Sequence, residues 1–204
     1  AMGEVNTGAV QEYARLSERY EFLNAQRQDL LDAKQKLVDA IREIDESTRG
    51  IFMDTFTAVQ ENFTRIFQRL FGGGKTQLIL SEPENILESG IEIVVEPPGK
   101  KRQNLQLLSG GERALTATAL LFALISVRPT PFCVLDEVDA PLDEANVERF
   151  AEMMRDFAQN SQMIVITHNK ATMEAADILY GVTMQEPGVS KIVSVRLSDV
   201  VEKN

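Results

Sequence analysis

Leu16, Leu23, Leu30, Leu37 and Ile44 stand seven residues apart, and no other feature restricts the folding of this sequence so tightly. With these at d, the a positions are Tyr13, Tyr20, Arg27, Lys34 and Ile41. A seven-residue apolar repeat keeps one helical seam turned toward a partner helix and winds the pair into a left-handed supercoil. The pattern predicts a coiled-coil segment over residues 1–50, although the charges at a also suit a solvated amphipathic helix. No second helix with this repeat is visible in the chain.

From Ile51 the repeat relaxes. Phe52, Phe56, Val59, Phe63, Ile66 and Leu70 follow spacings of three and four, which predicts a helix whose aromatic stripe enters a globular core over residues 51–204. Phe71-Gly72-Gly73-Gly74-Lys75-Thr76 then resembles a phosphate-binding loop. The pattern G-x-x-x-x-G-K-[ST] must follow a strand and open a helix, however, and Arg69 stands where its first glycine belongs. Here a helix precedes the glycines and the strand-like Leu78-Ile79-Leu80 follows, so they read as a helix C-cap and turn. No other candidate phosphate loop occurs in the sequence. Residues 91–95 (IEIVV) alternate like a half-buried strand, and Lys100-Lys101-Arg102, beyond a Pro-Pro-Gly turn, read as a solvated loop.

The second half alternates strand and helix patterns. Residues 112–126 are apolar nearly all round, predicting a buried helix. Residues 132–135 (FCVL) lack a polar face, as a central parallel strand does, and 163–167 predict another buried strand. Between them Asp143 to Phe157 reads as an amphipathic helix. Asn169 can cap a short helix ending near Ala176, and 179–184 and 192–197 are the last strands. The expected fold is α/β, with a parallel sheet core, flanking helices and added antiparallel strands.

Composition narrows the classes. A formal net charge of −10 argues against a surface that attracts nucleic acid as a whole. Cys133 is the single cysteine, which fits a reducing cytosol. No apolar run approaches the roughly 20 residues of a membrane span, so a soluble chain is expected. AMGEVNTG has no basic-then-apolar leader, and Ala1-Met2 resembles a cloning remnant ahead of an excised fragment.

Chemistry concentrates at three places. Asp136 and Glu137 leave the end of an apolar strand, where ligands of open α/β sheets sit. An acid there can hold Mg2+, directly or through water, while its neighbour orients the water attacking a γ-phosphate. Alone, the pair is also what two solvated strand-end acids look like. Ser109-Gly110-Gly111-Glu112 supplies a hydroxyl, glycines open to a phosphate and a helix N-terminus, or else an ordinary N-cap. His168 ends the next strand, where it can hydrogen-bond the same phosphate.

LSGGE, PFCVLDE, DAPLD and VITH occur in the order found in ABC-type ATPases. SGGERALTATALLFAL, FCVLDEVDAPLDEANV and VITHNKATMEAADILYGVTMQE resemble the C-terminal head lobe of the structural-maintenance-of-chromosomes (SMC) family, in its bacterial condensin branch. The N-terminal stretch VNTGAVQEYARLSERYEFLNAQRQDL is similar to the coiled coil entering that head; Pro141 is a slight departure. The resemblance implies an ABC-ATPase-like lobe using ATP and Mg2+. In it Asp136 matches the Walker B acid on Mg2+ and Glu137 the acid that activates water. Ser109, Gly110 and Gly111 match the signature loop capping ATP on an opposite head, Asp143 the D-loop, and His168 the switch histidine. The implied partners are an N-terminal lobe carrying the P-loop, a second head, a kleisin docking near Ile192 to Leu197, and DNA through the full complex. A cytoplasmic, nucleoid-associated ATPase of chromosome condensation and segregation is the resulting expectation. The alternatives are a repair-type head ATPase, a transporter ATPase, disfavoured by the heptads, and a catalytically silent kleisin-docking module.

Overall fold

A computed structural model describes residues 8–197. Helix α1 (Ala9–Phe71) runs for 63 residues, and the chain divides into two compact units between Phe52 and Met53. In the first, the d residues Leu16, Leu23, Leu30, Leu37 and Ile44 are all at least 51% exposed, so none of the described residues covers the seam.

In the second unit, the stripe on α1 is buried. Phe63, Phe67 and Leu70 pack with Leu115, Phe122, Phe150 and Met153 in one hydrophobic core. Phe67 stacks on Phe71 with ring centroids 4.0 Å apart, and Phe122 on Phe157 at 4.6 Å. The helix stops at the glycines as expected. Gly73 N–H donates to Gln68 O (2.8 Å) and Gly72 has φ 71°, the left-handed close of a Schellman turn. Gly74 releases the chain into strand β1 (Lys75–Leu80), which pairs antiparallel with β2 (Ile91–Glu96), itself paired with the short β3 (Gln103–Asn104). Gln60 of α1 secures the free edge of β1, accepting from Leu78 N–H and donating to Thr76 O.

Gly74 cannot be another residue. Its φ is +94°, and a Cβ would sit 2.6 Å from Glu96 O and 2.9 Å from Phe67 Cε1. Gly99 also has a positive φ, +74°, but a Cβ there meets nothing within 4 Å. Backbone strain alone costs about 1–3 kcal/mol, and overpacking adds about as much. Gly74→Ala is therefore expected to lower the melting temperature by roughly 6–12 °C, and Gly99→Ala by no more than about half of that. Circular dichroism melts of the two variants check this; equal shifts would contradict it.

After a 3-10 turn at Leu105–Leu107 comes α2 (Gly110–Val127), then β4 (Phe132–Asp136), α3 (Glu144–Ala158) and β5 (Gln162–Ile166). β4 and β5 are parallel, with Asp136 opposite Ile166. The short α4 (Lys170–Glu174) begins at its expected cap, with Asn169 Oδ1 accepting from Ala171 N–H. β6 (Ile178–Glu186) and β7 (Val189–Arg196) close an antiparallel hairpin.

Two expectations about burial need correction. Helix α2 is long and apolar enough, by length and composition, to cross a membrane. It buries Leu115, Ala119, Phe122 and Ala123 as the core helix, but Ala117 and Leu124 are exposed, so it is not enclosed all round. The parallel strands are not buried on both faces either. Cys133, Leu135, Met163 and Val165 face the core, whereas Phe132, Val134, Ile164 and Ile166 are exposed. Two strands covered on one side leave that second face bare, which a strand's apolar composition does not reveal.

Candidate functional site

The turn after β4 begins with backbone strain. Glu137 has φ +49°, the left-handed conformation, and is the one non-glycine residue so placed among the described residues. Its N–H donates to Ile166 O (2.9 Å) on the neighbouring strand, and its own carbonyl accepts from Ala140 N–H (3.1 Å). Strain of this kind persists only where surrounding bonds enforce it, and it gathers at functional positions. Asp136 and Glu137 are both exposed at the C-terminal end of the sheet, and His168 is exposed just beyond the end of β5. The parallel pairing thus puts the two acids and the histidine on adjacent strand ends.

Asp139 lies behind them. It is 1% exposed, and its Oδ2 accepts from Thr167 Oγ1 (2.6 Å) and Thr172 Oγ1 (2.5 Å). Its Oδ1 is the one buried side-chain oxygen or nitrogen without a hydrogen-bond partner among the described residues. Sequence reasoning gave this residue no role. The only hint lay in Thr167 and Thr172 on either side of His168 and in an acid followed by the apolar Ala140-Pro141-Leu142.

Ser109 serves as the helix cap. Its Oγ accepts from Glu112 N–H (3.4 Å) and donates to Glu112 Oε2 (2.7 Å), while Glu112 Oε2 accepts from Ser109 N–H (3.2 Å), closing a capping box. Lys100 bridges the other carboxylate oxygen of Glu112 at 2.8 Å, so the basic loop is tied to the signature-like turn rather than merely solvated. The Lys100 ammonium first, and the Ser109 hydroxyl second, hold the Glu112 carboxyl below the usual glutamate range. Burial pushes the Cys133 thiol up.

The two glycines differ. A Cβ on Gly110 meets nothing within 4 Å, whereas one on Gly111 would lie 2.8 Å from Pro141 O. Gly111 is therefore required by close packing against the Asp139–Asp143 turn, a reason beyond the phosphate access read from the sequence. Asp143 caps α3, its Oδ1 accepting from Asn146 N–H (2.9 Å) and its Oδ2 from Asn146 Nδ2 (3.0 Å).

Among the described residues no three His, Cys, Asp or Glu side chains gather as a metal cage. The exposed carboxylate of Asp136 fits Mg2+ nonetheless, because that ion commonly takes one or two carboxylates and completes its shell with water and phosphate oxygens. A groove lined by Lys75, Gln77, Val94, Glu96 and Arg102 shares no residue with this cluster.

The family model for the RecF/RecN/SMC N terminal domain matches residues 8–191. The chain is 56% identical to the Chromosome partition protein Smc of Bacillus subtilis (strain 168), over 98% of this chain and 17% of that protein. It therefore spans about a sixth of the curated relative's length. Among solved structures it resembles the Smc head domain with an extended coiled coil, bound to the C-terminal domain of ScpA, derived from Pyrococcus furiosus. That likeness has a TM-score of 0.80 and 39% identity, and covers 96% of this chain and 49% of that one. It also resembles a chain from work on ATP-driven dimerization and DNA stimulated activation of SMC ATPases, with a TM-score of 0.66 and 41% identity, over 76% of this chain and 95% of that one.

Proposed function

The chain belongs to the RecF/RecN/SMC family, and from that membership we propose that it is the C-terminal lobe of an SMC ATPase head, acting in chromosome partition. The observation that carries the reading is the bare face of the β4–β5 sheet. Phe132, Val134, Ile164 and Ile166 are exposed there, and by strand alternation Asp136 lies on the same face. Parallel sheets are ordinarily covered on both faces. An N-terminal lobe bringing the P-loop would cover this one and set its bound triphosphate beside Asp136 and Glu137. The FGGGKT turn supplies no such loop, since its glycines end a helix and start a strand.

In this reading Asp136 would hold Mg2+, which would supply charge neutralisation to the triphosphate. Glu137 orients and deprotonates the attacking water, and His168 hydrogen-bonds the γ-phosphate. Ser109, Gly110 and Gly111 cap the γ-phosphate on an opposite head, with Asp143 at the same interface. Two heads would then enclose two ATP molecules. The seam on α1 pairs with a second helix of the same SMC arm. A kleisin docks near Ile192 to Leu197, a proposal supported by the ScpA-bound neighbour, and DNA is engaged through the whole complex in the cytoplasm, at the nucleoid. A docking module without ATPase activity is the alternative; the apolar side chains Tyr180, Val182 and Ile192 exposed on the β6–β7 hairpin suit it.

Mixing separates the two. This chain alone is expected to show no ATP turnover above background, and an N-terminal lobe alone likewise. Combined, they gain ATP-dependent dimerization and hydrolysis together, read by light scattering and phosphate release. Robust turnover by this chain alone would sink the half-site reading, and dimerization without any hydrolysis on mixing would favour the docking module.

A further inference from the structure

A small ring of bonds closes behind the acidic pair. It runs along the backbone from Glu137 to Asp139, crosses from Asp139 Oδ2 to Thr167 Oγ1 (2.6 Å), steps back to Ile166, and returns from Ile166 O to Glu137 N–H (2.9 Å). Thr167 Oγ1 also accepts from Asn169 N–H (2.9 Å), so one hydroxyl fixes the residues on both sides of His168. Thr172, in α4, is tied to the same carboxylate oxygen, so the helix that follows His168 is anchored too.

We propose that Asp139 is a positioning residue, a buried strut that holds the segment carrying His168 at a fixed offset from Glu137. The inference deepens the ATPase reading and rests on it for the roles of Glu137 and His168. Asp139 itself is 1% exposed, so the proposal gives it no direct contact with ATP.

The chemistry explains why an acceptor stands there. Oδ2 is the acceptor in both threonine bonds. Both threonine hydroxyls must therefore point their protons inward, and the remaining lone pairs of Thr167 are left for Asn169 N–H. That choice is costly. The carboxylate has no cationic partner among the described residues, and one of its oxygens is buried without a hydrogen bond. What the carboxylate contributes instead is a one-way arrangement of donors around the turn that bears His168.

The test uses the fact that His168 is the single histidine, so its imidazole gives one set of NMR signals in this chain. Asp139→Asn keeps an acceptor and is expected to leave those signals nearly unchanged. Asp139→Ala leaves two hydroxyls without their acceptor and should shift or split them. In the assembled head, Asp139→Ala is expected to lower kcat about 10–100-fold with the ATP dissociation constant within about threefold, and Asp139→Asn to recover most of the loss. Should Asp139→Ala not fold, Thr167→Val and Thr172→Val each remove one donor, and Thr167→Val is expected to move the His168 signals further. Unchanged imidazole signals in folded Asp139→Ala, or in Thr167→Val, would overturn the strut. If those signals move while His168→Ala and Glu137→Gln heads still hydrolyse ATP normally, the ATPase reading falls instead, and with it the proposed purpose of the strut.

Discussion

Glu137→Gln, in a head assembled from this chain and its P-loop lobe, is expected to bind ATP as the unaltered head does and to hydrolyse it at least a hundredfold more slowly. The amide keeps the size and planarity of the carboxylate but cannot accept a proton from water, and a positioned general base contributes about 10²–10⁴-fold. The substitution should not disturb the fold. Glu137 is exposed, and the bonds that hold its turn run through backbone atoms, from its N–H to Ile166 O and from Ala140 N–H to its carbonyl. A surface exchange of this kind changes stability by no more than about 0.5 kcal/mol. With binding intact and hydrolysis stalled, ATP-bound head dimers should outlast the measurement in light scattering, where the unaltered head is expected to cycle between monomer and dimer. Single-turnover hydrolysis separates chemistry from release. Turnover within threefold of the unaltered head would remove Glu137 from the mechanism, and loss of ATP binding would assign it to the metal rather than the water.

Much of this architecture is legible in the sequence, for local reasons. The glycine stop after Phe71 and the Asn169 cap rest on bonds within a few residues, and the Phe-rich period of α1 repeats at each turn, so spacing reveals all three. The order of strand and helix patterns likewise places Asp136 and His168 at adjacent strand ends. What spacing misses is contact across the chain. The positive φ of Glu137 is imposed by a neighbouring strand, not by its own side chain. Gly111 is glycine because Pro141, thirty positions on, brings its carbonyl against it. Asp139 finds its threonines twenty-eight and thirty-three residues away. The bare sheet face was missed for a different reason. An apolar strand such as 132–135 has the same composition whether this chain or another covers its second face.

Ser109→Arg is expected to abolish ATP-dependent dimerization while each head still binds ATP within about twofold. Ser109 has two jobs, as the cap of α2 and as the proposed contact to ATP on the opposite head. Losing the cap costs about 1 kcal/mol, and a cation at a helix N-terminus opposes the helix dipole. The variant should therefore melt a few degrees lower on that account alone. Ser109→Ala loses the same cap without the bulk, so it sets the size of the purely local effect. Gly110 gives the sharper control. Among the described residues, a Cβ placed there meets nothing within 4 Å outside its own helical turn, and alanine in a helical turn commonly stabilises by about 0.4–1 kcal/mol. Yet a methyl at that point would stand between the backbone N–H groups and a phosphate approaching from outside. Gly110→Ala should therefore raise the melting temperature and weaken dimerization at once, two effects of opposite sign that an internal defect cannot produce together. Unimpaired dimerization of Ser109→Arg heads would place the contact elsewhere. A parallel fall of stability and dimerization in both variants would reduce the loop to a helix cap.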